Sequence, residues 1–235
     1  MRIELQDICK GYQDGKDSQR MVFEDLSYVF DDERSSVAIL GQSGCGKTTL
    51  LTLLGLMHRP DSGTIVYDGE DVTRLSVKER ADYRLKNIGF IFQDFNLIDE
   101  LTLWENVAVP AVALGSSFRA EREKAIELLS QVQCGDLAER YPSEVSGGQI
   151  QRCAIARALI NSPKLVLADE PTGNLDPAAA DNVIDLLLGL SDNTKVIMVT
   201  HDVKNAYRAQ QVLSLSRGHL SVAEPSAEAV EAVRP

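Results

Sequence analysis

The segment Gly41-Gln42-Ser43-Gly44-Cys45-Gly46-Lys47-Thr48 places three glycines, a lysine and a hydroxyl at a spacing suited to holding a polyphosphate. The glycines let successive backbone N–H groups curl around an anion with no Cβ in the way. A helix opening at Lys47 would point its positive end at the same anion. Lys47 can reach the β- and γ-phosphates, the Thr48 hydroxyl can ligate Mg²⁺, and Thr49 is placed to touch the α-phosphate. This is the Walker A pattern. A chance match in a chain of this length has a frequency of about 1%, so a triphosphate with Mg²⁺ is the expected ligand.

Carboxylates for hydrolysis stand at the end of a second apolar run, Leu165-Val166-Leu167-Ala168-Asp169-Glu170. Asp169 would hold Mg²⁺ through a water. Glu170 would orient the attacking water or accept its proton. An apolar strand ending in Asp-Glu is common by itself, and the phosphate loop is what gives this one meaning. His201 follows a third apolar run, at a position to hydrogen-bond a γ-phosphate and steady the water against Glu170. Gln93 follows a fourth, where its amide would complete the Mg²⁺ shell. A lone histidine is more often structural and a lone glutamine more often solvated. Their place after strand ends is the reason to read them otherwise.

Such residues need parallel strands whose C-terminal ends converge. Short apolar runs at 36–40, 88–92, 165–168 and 195–199 alternate with longer helical patterns, as in an α/β protein. Helices are expected at 47–56 and 149–160. Segments 2–7 and 21–30 are β-rich with hairpin character, which predicts a smaller antiparallel sheet. From about 94 to 158 the pattern is mostly helical, with apolar residues at helix spacing over 103–114 and 121–132. That reads as a helical lobe inserted into the core. The expected domain covers 1–223, and 224–235 is small, acidic, bounded by prolines and expected to fray.

Composition narrows the partners. The 235 residues, 44% hydrophobic and 25% charged, suffice for a packed core. The net charge of −11 repels phosphate backbones and anionic lipid. Nucleic acid and direct lipid anchoring are therefore unexpected. No stretch reaches the roughly 18 consecutive apolar residues of a membrane span, and Met1-Arg2-Ile3-Glu4 does not begin a signal peptide. Cys9, Cys45, Cys134 and Cys153 are scattered without zinc or disulfide spacing, as expected in the reducing cytoplasm. Cys45, beside Lys47 and a helix start, is expected to be the most reactive thiol. A small filler beneath the loop is the alternative.

Val145-Ser146-Gly147-Gly148-Gln149-Ile150-Gln151-Arg152 resembles the signature of ABC transporter ATPases, with Val145 for the usual leucine and Ile150 for a usual glutamine. Tyr12 resembles the aromatic that stacks on adenine, Gln93 the Q-loop glutamine, Gly173-Asn174-Leu175-Asp176 the D-loop, and His201 the switch histidine. The resemblance runs from Ile3 to about Leu220. Ala168-Asp169-Glu170-Pro171-Thr172-Gly173-Asn174-Leu175-Asp176 looks like the lipoprotein-releasing and macrolide-exporting group (LolD and MacB), with the cell-division ATPase FtsE a close relative. The resemblance implies a P-loop NTPase core with a small antiparallel β-subdomain and an inserted helical subdomain.

It also implies ATP with Mg²⁺ as ligands, and a homodimer, or a heterodimer with a related ATPase, when ATP is bound. In that dimer Ser146, Gly147, Gly148, Gln149 and Asp176 would serve the nucleotide held by the opposite subunit. The partner implied is an integral membrane permease, which would hold the chain at the inner face of the membrane. The permease would be gripped near Gln93, and some of Phe95, Leu97, Leu101 and Leu103 would line the docking cleft, although such apolar residues are more often core. The alternative functions are a soluble ABC ATPase acting on DNA or ribosomes, or an FtsE-like role in division.

Overall fold

The computed structural model describes residues 1–13, 19–33, 35–190 and 194–223. Segment 224–235, expected to fray, lies outside the described residues. In chain order the elements are β1 (Ile3–Gln13), β2 (Gln19–Phe30), β3 (Ser36–Leu40), α1 (Lys47–Leu54), β4 (Ser62–Tyr67), β5 (Glu70–Asp71), α2 (Val77–Asn87), β6 (Ile88–Ile91), α3 (Leu103–Ala113), α4 (Phe118–Gln131), α5 (Gly147–Leu159), β7 (Leu165–Asp169), α6 (Pro177–Gly189), β8 (Lys195–Thr200), α7 (Val203–Ala206), β9 (Gln211–Ser216) and β10 (His219–Val222). They fall into two units, one of Met1–Ala81 with Ile197–Pro235 and one of Asp82–Val196.

The first unit contains the expected antiparallel sheet, in the order β2-β1-β4-β5. β1 pairs with β2 from Ile3 opposite Phe30 to Gln13 opposite Gln19. Its other edge takes β4, with Ile3 opposite Tyr67. Ile3, Leu5 and Ile8 are buried, and the irregular step between Leu5 and Ile8 is a register shift at Asp7, whose φ is 52°. In the same unit β10-β9-β3-β8 lie side by side, with β9 parallel to β3 and β10 returning antiparallel.

β3, Ser-Val-Ala-Ile-Leu, is buried along nearly its whole length, which explains why its sequence is apolar without alternation. α1 buries Leu50, Leu51, Leu53 and Leu54 completely, each contributing about 2 kcal/mol of burial. It stops at Gly55, two residues sooner than its apolar pattern suggests. Leu56 then takes a left-handed φ of 54°, which no helix continues through.

The second unit contains the parallel pair β6 and β7, with Ile88 opposite Leu165 and Ile91 opposite Ala168. Helix α3 matches the stretch 103–114 to within one residue, while α4 starts at Phe118, three residues before the stretch 121–132. Thr102 caps α3 in a reciprocal capping box with Glu105. Asn106 is buried and organises the preceding loop: its Oδ1 accepts from Ile98 N at 2.7 Å, and its Nδ2 donates to the carbonyls of Ile98, Leu101 and Thr102 at 3.0 Å each. α5 packs on β6 at Gly89, where an added Cβ would lie 2.4 Å from the Ala158 carbonyl oxygen. α5 begins at Gly147, not at Gln149 as its apolar pattern suggests. Ser146 is its N-cap, so both signature glycines are helical.

Candidate active site

In the first unit, the three glycines of the 41–48 loop are required for three different reasons. A Cβ on Gly41 would sit 2.5 Å from Cys45 Sγ and 2.9 Å from Leu215 O. Gly44 faces open space but has a φ of 77°. Gly46 combines a φ of 105° with a wall behind it, since a Cβ there would meet Val22 Cγ1 at 2.6 Å. Lys47 is buried at the head of α1. Its Nζ donates to the carbonyl of Gly41 at 2.8 Å and to that of Gln42 at 3.3 Å. The ammonium is thus drawn back over the loop that its own backbone forms.

No side chain caps α1 at Gly46, whereas Thr102, Ser117, Ser146 and Asp176 cap α3, α4, α5 and α6. The first N–H groups of α1 are therefore left for an anion. Ser43 and Thr48 are exposed beside them, and Thr49 is half-buried. His201 lines a cavity of ≈ 670 Å³ together with Gly41, Gln42 and Cys45, so the fold brings the histidine to the first turn of the loop.

Tyr12 is 40% exposed near the end of β1. The Lys10 ammonium lies 5.5 Å from its ring centroid, and His58 meets it edge-on at 6.4 Å. Lys10 is fixed by Asp61 at 2.8 Å, and the second Asp61 oxygen accepts from Gly11 N at 2.8 Å. The Lys10 hydrogen bond, followed by the Gly11 amide, holds the Asp61 carboxyl below the usual carboxylate range.

The second unit assembles the carboxylates and the loops around them. Asp169 ends β7, and Glu170 follows with a φ of 45°. A non-glycine residue there costs about 1–3 kcal/mol and persists only where its surroundings enforce it. Those surroundings are visible. Gly173 N donates to Glu170 O at 3.0 Å. Gln151, fully buried in α5, donates to Pro171 O at 2.7 Å.

Gln93 is exposed, and its amide nitrogen would lie 3.2 Å from a Cβ on Gly173. Asn174 Nδ2 donates to Gln93 O at 3.0 Å and to Asp94 Oδ1 at 3.2 Å. Within this unit the loop of Gln93 and the turn after Glu170 are one hydrogen-bonded body.

Three expected nucleotide contacts are engaged locally. Ser146 Oγ accepts from Gln149 N at 3.4 Å, and Gln149 Oε1 accepts from Ser146 N at 2.8 Å. Asp176 caps α6, accepting from Ala178 N and Ala179 N at 3.1 Å each. Gly147 and Gly148 form the first turn of α5. A Cβ on Gly148 would come 3.0 Å from Ala179 Cβ, so α6 starts close by.

The four apolar residues weighed for the docking cleft divide between core and surface. Leu103 is not part of an exposed surface: it is fully buried as the first residue of α3. Phe95, Leu97 and Leu101 are half-buried, and Ile98, which the sequence reading passed over, is 43% exposed. Gln151 and Asn174 were quoted within motifs but given no role. The signal available for them was the polarity of Gln151 on an otherwise apolar helix face.

Among the described residues no group of three or more His, Cys, Asp and Glu converges as a metal cage, and no helix is long and apolar enough to cross a membrane. The family model for the ABC transporter matches residues 25–173. The chain is 41% identical to the lipoprotein-releasing system ATP-binding protein LolD of Shewanella oneidensis, over 94% of this chain and 96% of that protein. It is 42% identical to LolD of Xanthomonas campestris pv. campestris, over 96% and 94%. It is 40% identical to the macrolide export ATP-binding/permease protein MacB of Brucella abortus, over 93% of this chain but 34% of that protein.

The fold matches the ATP-binding cassette MJ0796 in a dimeric post-hydrolysis state bound to ADP and Pi, with a TM-score of 0.86, 33% identity and coverage of 94% and 97%. Carrying a phosphate loop, a carboxylate turn and a signature helix, this chain belongs to the ABC transporter family and is an ATPase cassette of the LolD and MacB type.

Proposed function

We propose that the chain powers a separate membrane permease by closing with a second cassette around ATP and reopening after hydrolysis, in the service of lipoprotein release. The observation that carries this reading is the likeness to LolD, which spans nearly the full length of both proteins. We assign 1–223 as the ATPase domain, 94–158 as its helical lobe, and the inner face of the membrane as its location through the permease. Gly41, Ser43, Gly44, Cys45, Gly46, Lys47, Thr48 and Thr49 would hold the triphosphate, with Tyr12 under the adenine. The uncapped start of α1 supports that assignment.

Thr48, Asp169 and Gln93 are oxygen donors suited to Mg²⁺, which keeps several waters and takes few protein ligands. Bound there, Mg²⁺ would neutralise charge on the phosphates. Glu170 would accept a proton from the attacking water, and His201 would hold the γ-phosphate. Ser146, Gly147, Gly148, Gln149 and Asp176 would face the nucleotide of the opposite cassette. Loss of the γ-phosphate removes the contacts that favour the closed pair. Phe95, Leu97, Leu101 and Ile98 are assigned to the permease contact.

The test is Glu170→Gln, which keeps shape but accepts no proton. Turnover should fall at least about 100-fold while ATP binding persists, and size exclusion with Mg-ATP should show a dimer. Persisting turnover would remove Glu170 from the mechanism. Purification of the chain from detergent-solubilised membranes without any integral membrane protein would remove the permease.

A further inference from the structure

Between Gln93 and α3 the chain passes through two successive residues in the left-handed region, Phe95 with φ 61° and Asn96 with φ 51°. Neither is glycine, and two such residues in a row do not hold that shape unaided. The turn's own backbone bonds, Phe95 N to Phe92 O at 3.2 Å and Asn96 N to Asp94 O at 2.6 Å, are joined by Arg157, near the far end of α5 from the signature. Its Nη2 donates to Phe95 O at 2.7 Å, and its Nη1 donates to Asn96 O. A planar guanidinium presents two donors in a fixed fork, so it can grip two carbonyls at once. The group is desolvated enough that burial lowers its pKa, a condition in which its hydrogen bonds are stronger than in water.

The other end of the same loop is held by Asn174, through Gln93 O and Asp94 Oδ1. Along its length α5 therefore carries the signature glycines and two connections within this unit. Its first turn is Gly147-Gly148, Gln151 holds the carbonyl beside Glu170, and Arg157 holds the loop of Gln93.

We propose that Arg157 is a positioning residue for ATP hydrolysis: its grip on Phe95 and Asn96 sets the Gln93 loop, so that a movement of that loop carries the signature helix with it. The proposal rests on reading Gln93 as nucleotide-facing, but its structural half concerns Arg157 and the loop alone.

Hydrogen exchange on the whole chain, read at 95–98, 147–152 and 165–168, tests it in Arg157→Lys. Lysine keeps the charge but is a point donor and cannot hold two carbonyls. Exchange at 95–98 should accelerate at least about 10-fold while 165–168 stays within about twofold, the mark of a local opening. The kcat should fall at least about 10-fold with KM for Mg-ATP within about threefold, as for a group that acts after binding. Adding Asn96→Gly should recover a measurable part of kcat, because glycine takes the left-handed shape unaided.

Unchanged exchange at 95–98 in folded Arg157→Lys overturns the proposal. So does faster exchange with unchanged kcat, or no recovery with Asn96→Gly. If Arg157→Lys does not fold, the unmodified chain decides: Mg-ATP must alter protection at 95–98 and 147–152 together, and a change in one alone overturns it. An unmodified chain that binds no ATP would instead sink the nucleotide reading of Gln93, while the exchange contrast between arginine and lysine, measured without nucleotide, still judges the grip.

Discussion

The four thiols show how environment separates residues of one type. Cys134 and Cys153 are buried, and desolvation raises both, Cys153 to about 12. The thiolate is the nucleophile, so desolvation holds Cys153 almost wholly in its unreactive form at pH 8. Cys9 and Cys45 are half-buried. Cys9 donates to Asp25 Oδ1 at 3.4 Å, and Cys45 nestles against Gly41 while lining a cavity of ≈ 480 Å³. With maleimide at pH 8, Cys9 and Cys45 should label at least about 100-fold faster than Cys153, with the gap narrowing as pH rises. Mg-ATP should slow Cys45 and spare Cys9. Peptide mass mapping reads all four, and equal rates at Cys153 and Cys45 would mean that α5 opens in the native state.

At the scale of elements, the contact of β6 with α5 decides where the Gln93 loop leaves the sheet. Gly89 admits the Ala158 carbonyl at a distance no Cβ allows, and the obstacle is backbone, which cannot rotate away. Gly89→Ala should destabilise by about 1–3 kcal/mol, read as a lower urea midpoint. Gly189 provides the contrast. It ends α6 with open space around the Cβ position, so Gly189→Ala should be neutral or stabilising by up to about 1 kcal/mol. Equal losses at both positions would show that the cost lies in glycine itself and not in the packing of α5.

At the scale of the whole molecule, one chain carries one phosphate loop and one signature, so the proposed pairing of two cassettes can be tested at the signature. Gly147→Asp should block the ATP-dependent dimer of Glu170→Gln by placing a carboxylate where a γ-phosphate is expected. A Cβ at Gly147 meets nothing closer than Leu175 Cδ2 at 3.7 Å, so the first side-chain atom is accommodated without a clash. Nucleotide affinity of the monomer should stay within about twofold, as expected for independent sites. Light scattering with Mg-ATP reports the mass, and fluorescent-nucleotide titration reports the affinity. A dimer that still forms, or a monomer that loses ATP, would contradict a site shared between two copies.

The phosphate loop, the strands at 36–40 and 165–168 and the two helical stretches of the second unit were legible because their causes are local. Glycine spacing, uninterrupted apolar runs and helical periodicity act over fewer than about 15 residues. The Asp176-Pro177 cap of α6 is just as local; it was read only for what the family does with the D-loop.

Other features were decided by tertiary packing. Leu103 and Ile98 look alike as residues, yet one is fully buried and the other 43% exposed, because burial depends on which face meets α5 and how Asn106 folds the loop between them. Arg157 is an ordinary helix residue until its fork finds two carbonyls 61 and 62 positions away. Asn174 reaches Gln93 across 81. Such pairings come from how the elements stack, and the one-dimensional spacing of residue types contains no term that fixes them.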